Sequence, residues 1–253
     1  ESFDPSRCPG IDLRVDEQLA LLSTLSAYAG DLRMPDGPDG GTRYIADNGS
    51  FAPGDAVLLA TLMRHTRPSL VLEIGAGHST AAMLDVAEHH LHDSVQIEAV
   101  DPEPRRVRAL LRDGDERRLV LHEGLVQDLP RALFTTLGGN DMLFIDSSHV
   151  MKLGSDVAYL MLDVLPILAP GVLVHFHDIA WPFEYPVDLY RAGWAWNEAY
   201  AVRLLLANSR HYEIVLFADY LVRAKRDEVR RRFRVAQRFE REVEAGGLDD
   251  LAL

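Results

Sequence analysis

Short apolar runs alternate with amphipathic stretches through most of the chain, a pattern that predicts strands and helices in turn. The strand-like runs begin at Val71 and then occupy residues 95–100, 118–122, 141–146 and 171–177. Helical patterns fit between them at residues 81–90, 104–111, 129–137 and 155–168. This order predicts an α/β fold in which helices cover a doubly wound, mostly parallel sheet.

Two further strands are expected near the C-terminus, at residues 212–217 and 220–224. Only Ala218 and Asp219 separate these two runs, so we expect them to be antiparallel neighbours. Together with the earlier strands they would complete a seven-stranded sheet with one reversed strand.

The same patterns divide the chain into three regions. Residues 1–66 are predicted to form a helical extension or lid, with a Gly/Pro-rich break at residues 34–41, and residues 67–224 to form the α/β domain. Residues 225–253 are predicted to form a charged amphipathic helix and tail that packs on its own domain or on a partner subunit of a homo-oligomer.

Composition and charge narrow the range of partners. A formal net charge of −13 disfavours nucleic acid, because a phosphate backbone would be repelled. Cys8 is the single cysteine, and neither a membrane span nor a signal peptide is recognisable, so we expect a cytoplasmic protein. These features favour a small-molecule substrate.

The most informative local pattern is VLEIGAGHST at residues 71–80. It predicts a buried strand, a glycine turn and a helix start, in which Gly75 and Gly77 allow a ligand to approach closely and Ser79 can cap the helix. With Glu73 in the strand, and a threonine where a dinucleotide motif has its third glycine, the pattern favours S-adenosylmethionine over NAD. A tight strand-to-helix turn without a ligand is the alternative interpretation.

Two residues farther along extend this cofactor site. Asp101 follows the second strand, where an acid can accept hydrogen bonds from both ribose hydroxyls, although it can also cap the next helix. After the third strand, Gln127 is expected to meet the edge of the adenine ring or to lie exposed at a helix start.

A second group of candidate residues follows the fourth and fifth strands. Asp146 and His149 share one loop, while His177 and Asp178 end the neighbouring strand. Because the carboxyl ends of adjacent parallel strands lie side by side, Asp146, His177 and Asp178 can converge on a cation that leaves positions open for a substrate hydroxyl. His149 adds a proton acceptor on the same loop. Taken singly, each of these residues has a structural alternative as a hydrogen-bonded cap or core side chain.

The glycine motif, the acid after the second strand, Asp-x-x-His after the fourth and the His-Asp pair after the fifth resemble class I S-adenosylmethionine-dependent methyltransferases. The pattern is most similar to that of the metal-dependent macrolide-sugar O-methyltransferases and the related cephalosporin-modifying methyltransferase, over residues 70–224. The resemblance implies a Rossmann-like fold, Asp146, His177 and Asp178 as ligands of a divalent metal, and His149 as general base. Those sugar enzymes carry two adjacent carboxylates after the fifth strand, so His177 is a departure that adds Mn²⁺ and Fe²⁺ to Mg²⁺ as candidate metals.

We therefore expect an S-adenosylmethionine-dependent, metal-assisted O-methyltransferase that methylates a hydroxyl of a small natural product or saccharide. Trp181 and Tyr185, which follow the metal pair, and the segment at residues 194–198 are the expected acceptor contacts, with core and cap packing as their alternative. Two other functions stay open: a methyltransferase that works without a metal, and a non-catalytic cofactor-binding module that assists an oxygenase.

Overall fold

A five-stranded parallel sheet forms the centre of the computed structural model, which describes residues 7–233. The strands are β1 (Leu70–Ile74), β2 (Gln96–Asp101), β3 (Leu119–Glu123), β4 (Met142–Ile145) and β5 (Leu173–Phe176). Their spatial order is β3-β2-β1-β4-β5, and every neighbouring pair is parallel. The order reverses between β1 and β4, which places the loops after these two strands side by side at one edge of the sheet.

Helices fill the connections between the strands. In chain order they are α1 (Val15–Leu25), α2 (Pro53–Thr66), α3 (His78–His90), α4 (Arg105–Leu110), α5 (Arg131–Phe134), α6 (Asp156–Tyr159), α7 (Val187–Arg191), α8 (Glu198–Leu206), α9 (Ala218–Ala224) and α10 (Arg226–Arg232). After α6 the chain continues through a π turn (Leu160–Val164) and a 3₁₀ turn (Leu165–Ile167), so one irregular helix occupies the predicted interval. Between residues 7 and 233, every helix is too short or too polar to cross a bilayer.

Alternation of side chains along the strands builds a core on each face of the sheet. On β1, Val71 joins a cluster with the apolar residues of α1, α2 and α3. Its neighbours Leu72 and Ile74 point to the opposite face and pack with Phe134 of α5 and Leu160 after α6. Helices therefore cover both faces, as the alternating pattern predicts.

A buried ion-pair network fixes the segment between α1 and α2 onto α3. The guanidinium of Arg43 lies 2.9 Å from Asp85, 2.8 Å from Glu88 and 2.5 Å from Asp115, and its side chain is 3% exposed. The backbone N–H of Tyr44 also donates to Asp85 at 2.9 Å. This network holds the start of a stretch that continues to the loops after β1 and β5.

The second of the two predicted C-terminal strands is wrong, because that segment lies in α9. Phe217, Tyr220 and Leu221 are buried at a spacing of three and four residues, which is the spacing of one helix face. Residues 212–217 form no strand either, and the backbone N–H of Phe217 donates to the side chain of Gln18. Within residues 7–233 the sheet therefore has five strands and no reversed strand.

The described part of the C-terminal region packs on the same domain. Val229 and Phe233 are buried in the cluster that contains α1 and α2. Residues 1–6 and 234–253, which include most of the predicted C-terminal helix and tail, lie outside the described residues. The division into three regions and the homo-oligomer stay predictions.

Candidate active site

The glycine turn after β1 lies against the loop after β4. Gly75 has a φ of +86°, and a Cβ at this position would lie 2.2 Å from the carbonyl oxygen of Asp146. The backbone N–H of Asp146 in turn donates to the carbonyl of Ile74 at 2.9 Å. Glycine permits both the positive φ and the close approach. The predicted cofactor turn and the predicted Asp146 loop therefore form one continuous wall.

Glu73 lies beneath this turn. Its fully buried carboxylate accepts hydrogen bonds from the hydroxyls of Ser79 and Thr80, both at 2.5 Å. The hydroxyl oxygen of Thr80 also accepts from the N–H of Gly77 at 3.0 Å. Burial raises the pKa of Glu73 to about 8, although the two hydroxyls favour its ionised form. In this structure Glu73 and Ser79 hold the turn in shape from below, whereas the sequence predicts them as direct cofactor contacts.

Asp101 ends β2 beside the same turn. Its Oδ2 accepts a hydrogen bond from the N–H of Ala76 at 3.0 Å, and its Oδ1 accepts one from the N–H of Glu103 at 2.7 Å. These bonds fix the carboxylate at the sheet edge, and each oxygen keeps a second lone pair for a ligand. This position suits the predicted contact with a ribose.

Gln127 lies on the turn after β3, and its side-chain amide has one unpartnered end. The Nε2 group donates to the carbonyl of Gly154 at 2.9 Å, while Oε1 is buried with no hydrogen-bond partner among the described residues. An unpaired buried acceptor is costly, so a donor on a bound ligand would be a fitting partner. The neighbouring Leu125 is 51% exposed and offers an apolar surface. An adenine ring carries both an amino donor and an apolar face.

A cation that was not predicted from the sequence lies beside the turn. Arg106, in the first turn of α4, lies so close that a Cβ on Gly77 would be 3.4 Å from its Cδ. Burial and this guanidinium lower the pKa of the adjacent His78. A guanidinium in this position suits a ligand carboxylate. The available signal was the pair of arginines that opens α4.

Four predicted residues come together at the carboxyl edge of β4 and β5. The Nε2 atom of His149 lies 3.5 Å from Asp146 Oδ1 and 3.7 Å from Asp178 Oδ2. The Nε2 atom of His177 lies 3.7 Å from Asp178 Oδ1. Both aspartates keep part of their side-chain surface exposed, whereas both histidines are buried. The cluster is thus open to a ligand on the aspartate side.

A buried glutamate from the predicted acceptor segment at residues 194–198 lies on the other side of His149, and this contact was not predicted. Glu198, the first residue of α8, is 1% exposed, and its Oε2 lies 2.9 Å from His149 Nδ1. The hydroxyl of Ser147 donates to the same carboxylate at 3.1 Å. Because Glu198 is 49 residues away in the chain, no local motif connects it with His149.

Surrounding carboxylates control the charge of His149. Burial by itself would lower its pKa, but the bonds to Asp146 and Glu198, together with the charge of Asp178, raise the pKa to about 10. Burial of Asp146 favours its neutral acid, yet the bond from His149 and the nearby His177 outweigh burial, so the pKa of Asp146 is below its ordinary value. At neutral pH His149 is therefore a cation in contact with carboxylates.

The N-terminal segment supplies a further carboxylate and an aromatic ring. Asp55, in the first turn of α2, is 9% exposed, and burial raises its pKa to about 7. The charge of His177 opposes this rise, while the charges of Asp178 and Asp146 add to it. The ring of Phe51 packs 5.3 Å from that of His177, measured between ring centroids. Phe51 lies within the predicted N-terminal extension or lid, whereas Asp55 was not among the predicted site residues.

The residues predicted to bind a metal have suitable donor chemistry. Carboxylate oxygens from Asp146 and Asp178, with an imidazole from His177, are donors that divalent first-row metals and Mg²⁺ accept. Asp55, once ionised, would add negative charge beside the same cluster. Their present spacing does not close on an ion, since no group of three or more His, Cys, Asp or Glu between residues 7 and 233 has a metal-holding geometry. Chemistry and charge fit a cation, and binding would require the side chains to draw together.

Trp181 is placed in the core, which is the alternative that the sequence left open. Its side chain packs on Tyr220 at 4.7 Å and on Phe217 at 6.1 Å between ring centroids, and the residue is 5% exposed. Its backbone N–H donates to Asp219 at 2.6 Å. The structure therefore gives no support to Trp181 as a direct acceptor contact, because the apolar surface of α9 covers it.

Tyr185 lies nearer to the candidate site, behind a second tryptophan. Its ring is 5.6 Å from that of Trp196, and Trp196 packs 4.2 Å from the imidazole of His149. The ring of Trp194 lies 4.7 Å from that of Trp196, between ring centroids, and Trp194 is 49% exposed. An aromatic surface thus runs from solvent to His149, formed by the segment before α8.

The parallel sheet has its order reversed at β1 and β4, a glycine turn after β1 and an acid after β2. In α/β folds of this kind, ligands bind at the carboxyl edge of the sheet, at the point where the strand order reverses. Residues 72–179 match the family described as a methyltransferase domain. The resemblance to class I S-adenosylmethionine-dependent methyltransferases is therefore confirmed over residues 72–179.

The proteins similar to the chain include one relative and the following two solved structures. An uncharacterized protein of Archaeoglobus fulgidus is 31% identical over 137 residues, which cover 52% of this chain and 60% of that protein. A candidate O-methyltransferase from Klebsiella pneumoniae is 20% identical with a TM-score of 0.41, over 73% of this chain and 74% of its own. The S-adenosylhomocysteine-bound methyltransferase of Podospora anserina is 19% identical with a TM-score of 0.41, over 78% of this chain and 79% of its own. At these TM-scores, neither structure contributes to the residue assignments.

Proposed function

We propose that the protein is an S-adenosylmethionine-dependent O-methyltransferase that methylates a hydroxyl of a small natural product or saccharide. The observation that carries this proposal is the contact between the glycine turn and the Asp146 loop, where a Cβ on Gly75 would lie 2.2 Å from the Asp146 carbonyl. A methyl donor bound on the turn would lie beside Asp146, His149 and Asp178. Methyl transfer depends strongly on this proximity, because the sulfonium already supplies the leaving group.

The cofactor would be held by residues at the ends of three strands and by α4. Asp101 would accept the ribose hydroxyls, Oε1 of Gln127 would accept from the adenine amino group, and Arg106 would pair with the methionine carboxylate. The backbone of Gly75 and Gly77 would leave space for the methionine part. Support for these contacts comes from the unpartnered oxygen of Gln127 and from the cation beside the turn.

S-adenosylmethionine, when bound, would supply its methyl group to the acceptor oxygen and leave as S-adenosylhomocysteine, which keeps the electron pair of the broken carbon–sulfur bond. The hydroxyl proton would pass to Nε2 of His149 as general base. Only neutral imidazole can accept that proton, and the neighbouring carboxylates hold the pKa of His149 at about 10. The base role therefore requires the negative charge of Asp146 and Asp178 to be offset.

A divalent cation, Mg²⁺, Mn²⁺ or Fe²⁺, is part of the proposal. Asp146, His177 and Asp178 would hold it, and Asp55 would add to the negative charge that attracts it. When bound, such an ion supplies a Lewis acid that lowers the pKa of a hydroxyl. This part of the proposal is supported by the donor chemistry and by the concentration of carboxylates around His149.

The acceptor would meet the aromatic surface formed by Trp194, Trp196 and Tyr185. Trp196 lies against His149, so an acceptor that packs on it would bring a hydroxyl near Nε2. Aromatic faces suit a flat ring or the apolar face of a sugar. The net charge of −13 further disfavours a nucleic-acid acceptor.

Calorimetry with S-adenosylhomocysteine tests the cofactor assignment. Asp101→Asn should weaken binding by about 1 to 2 kcal/mol, since it removes a charged acceptor for ribose hydroxyls and keeps the residue size. Asp113→Asn is the matched control, because it makes the same charge change on an exposed loop residue. Binding of NAD without any response to S-adenosylhomocysteine would overturn the assignment.

Labelled methyl transfer to phenolic, macrolide and monosaccharide acceptors tests the reaction and its metal dependence. EDTA should abolish transfer and a divalent metal should restore it, while Asp146→Asn should lower the affinity for Mn²⁺ measured by calorimetry. Full activity in EDTA would leave the metal-independent methyltransferase. Tight cofactor binding with no transfer to any acceptor class would favour the non-catalytic module that assists an oxygenase.

A further inference from the structure

The buried carboxylate of Glu198 has one imidazole and one hydroxyl as its partners. Its Oε2 lies 2.9 Å from His149 Nδ1, and the Ser147 hydroxyl lies 3.1 Å from both carboxylate oxygens. At 1% exposure this carboxylate has almost no contact with solvent. A buried carboxylate needs such donors, since an unpaired one would be strongly destabilising.

These contacts decide which imidazole nitrogen carries a proton. A carboxylate only accepts hydrogen bonds, so Nδ1 of His149 must be protonated while it faces Glu198. Nε2 then points to the opposite side, where Asp146 and Asp178 lie at 3.5 and 3.7 Å. In the neutral ring the lone pair therefore sits on Nε2, on the side of the sheet edge and the glycine turn.

Backbone hydrogen bonds join the two segments that carry this pair. The carbonyl of His149 accepts from the N–H groups of Asn197 at 2.9 Å and of Glu198 at 3.2 Å. The side chain of Asn197 accepts from the N–H of Met151 at 2.6 Å. Trp196 packs on the imidazole face at 4.2 Å. The start of α8 and the loop after β4 thus hold the ring from two directions.

We propose that Glu198 is a positioning residue, which holds His149 with a proton on Nδ1 and directs Nε2 toward the reacting hydroxyl. This inference rests on the proposed role of His149 as base, and it adds a residue that lies outside the metal and cofactor groups. Glu198 itself would touch neither the cofactor nor the acceptor. Its effect should therefore appear in turnover and in the imidazole N–H signal, with little effect on ligand affinity.

Nuclear magnetic resonance of ¹⁵N-histidine-labelled protein tests the geometry without any need for turnover. Wild-type protein should show a slowly exchanging N–H proton coupled to Nδ1 of His149, assigned by its loss in His149→Asn. This signal should be present whether the ring is neutral or charged, because Nδ1 is protonated in both forms. Glu198→Ala should lose it, and Glu198→Gln should shift it, since one acceptor oxygen remains without the charge.

Kinetics then separate positioning from a structural role. Glu198→Ala should lower kcat by between about 10-fold and 10⁴-fold, up to the full contribution of a general base, with Glu198→Gln in between. The Kd of S-adenosylhomocysteine and the acceptor KM should stay within about twofold in Glu198→Gln. Glu213→Gln, the same change at an exposed residue paired with Arg14, is the control and should match wild type.

Two results would overturn the proposal. One is an Nδ1 signal and a kcat in Glu198→Gln that match wild type. The other is a fall in kcat accompanied by an equal loss of cofactor affinity and of unfolding midpoint, which would make Glu198 a structural residue. Failure of the proposed function looks different: wild-type protein would show the Nδ1 signal but transfer no methyl group.

Discussion

Replacement of Gly75 by alanine perturbs the point where the cofactor turn meets the Asp146 loop. The new Cβ would lie 2.2 Å from the Asp146 carbonyl oxygen and 3.2 Å from its carbonyl carbon. The obstructing atoms belong to the backbone, so no side-chain rotation relieves the contact. The backbone at Gly75 also has a φ of +86°, which an L-residue adopts only with strain.

The expected cost is the sum of two destabilising effects and one opposing effect. A positive φ costs an alanine about 1 to 2 kcal/mol. Forced overpacking of a well-packed region costs about 1 to 3 kcal/mol more. Alanine restricts the unfolded chain and returns about 0.4 to 1 kcal/mol. Gly75→Ala should therefore lower the free energy of unfolding by about 3 kcal/mol, within a range of about 1 to 4.5.

Two other glycines separate the cost of the positive φ and the effect on the unfolded chain from the cost of the close contact. Gly193 has a φ of +87° and open space for 4 Å around the point that a Cβ would occupy, so Gly193→Ala reports the cost of φ alone. Gly30 has open space and no positive φ, so Gly30→Ala reports the effect on the unfolded chain. Urea unfolding of the three variants gives the comparison, and calorimetry with S-adenosylhomocysteine shows whether the turn has moved. A Gly75→Ala protein as stable as Gly193→Ala, with unchanged ligand affinity, would refute the close approach.

Three other changes test the fold and the site. Arg43→Met should cost about 3 to 5 kcal/mol in urea unfolding, because it leaves buried carboxylates unpaired, and a loss below about 1 kcal/mol would contradict the network. Wild-type stability should fall as pH rises from the ordinary glutamate pKa of 4.5 toward the folded pKa of Glu73, about 8, because the folded state holds an extra proton in this window. The free energy of unfolding should fall by at most about 1.4 kcal/mol per pH unit, and Glu73→Gln should lack this contribution. If the free energies of unfolding of wild type and Glu73→Gln depend on pH in the same way, the raised pKa of Glu73 is contradicted. Trp181→Ala should cost about 3 to 5 kcal/mol of stability with little change in acceptor KM, whereas Trp196→Ala should mainly raise that KM, and the opposite pattern would restore Trp181 as an acceptor contact.

The strands of the sheet and the cofactor turn were predictable because their signals are local. The five predicted strands coincide with β1 to β5 to within one or two residues at each end. Glycine at position 75 indicates the turn, because a positive φ in a tight strand-to-helix turn favours glycine. The proximity of Asp146, His149 and Asp178 followed from one topological rule, that loops after adjacent parallel strands share an edge.

The C-terminal prediction failed where a local signal was ambiguous. The run Tyr220-Leu221-Val222 has the β-branched and aromatic composition of a strand, yet it is short enough to fit one helix face. Packing of Tyr220 and Leu221 beneath Trp181 and beside the N-terminal helices decided the outcome. Periodicity over so few residues cannot discriminate between a strand and a helix.

The sequence by itself therefore determined the parallel α/β sheet, the glycine turn and the residues at its strand ends, because apolar periodicity, glycine type and sheet topology act over short segments. The tertiary structure decided the surroundings of His149. Glu198 and Asp55 reach the site from segments that are distant in the chain. Of the tryptophans predicted to contact the acceptor, Trp196 packs on His149 whereas Trp181 lies in the core. Burial and charge pairing depend on which surfaces meet after folding, so the pKa and orientation of His149 are properties of the assembled fold.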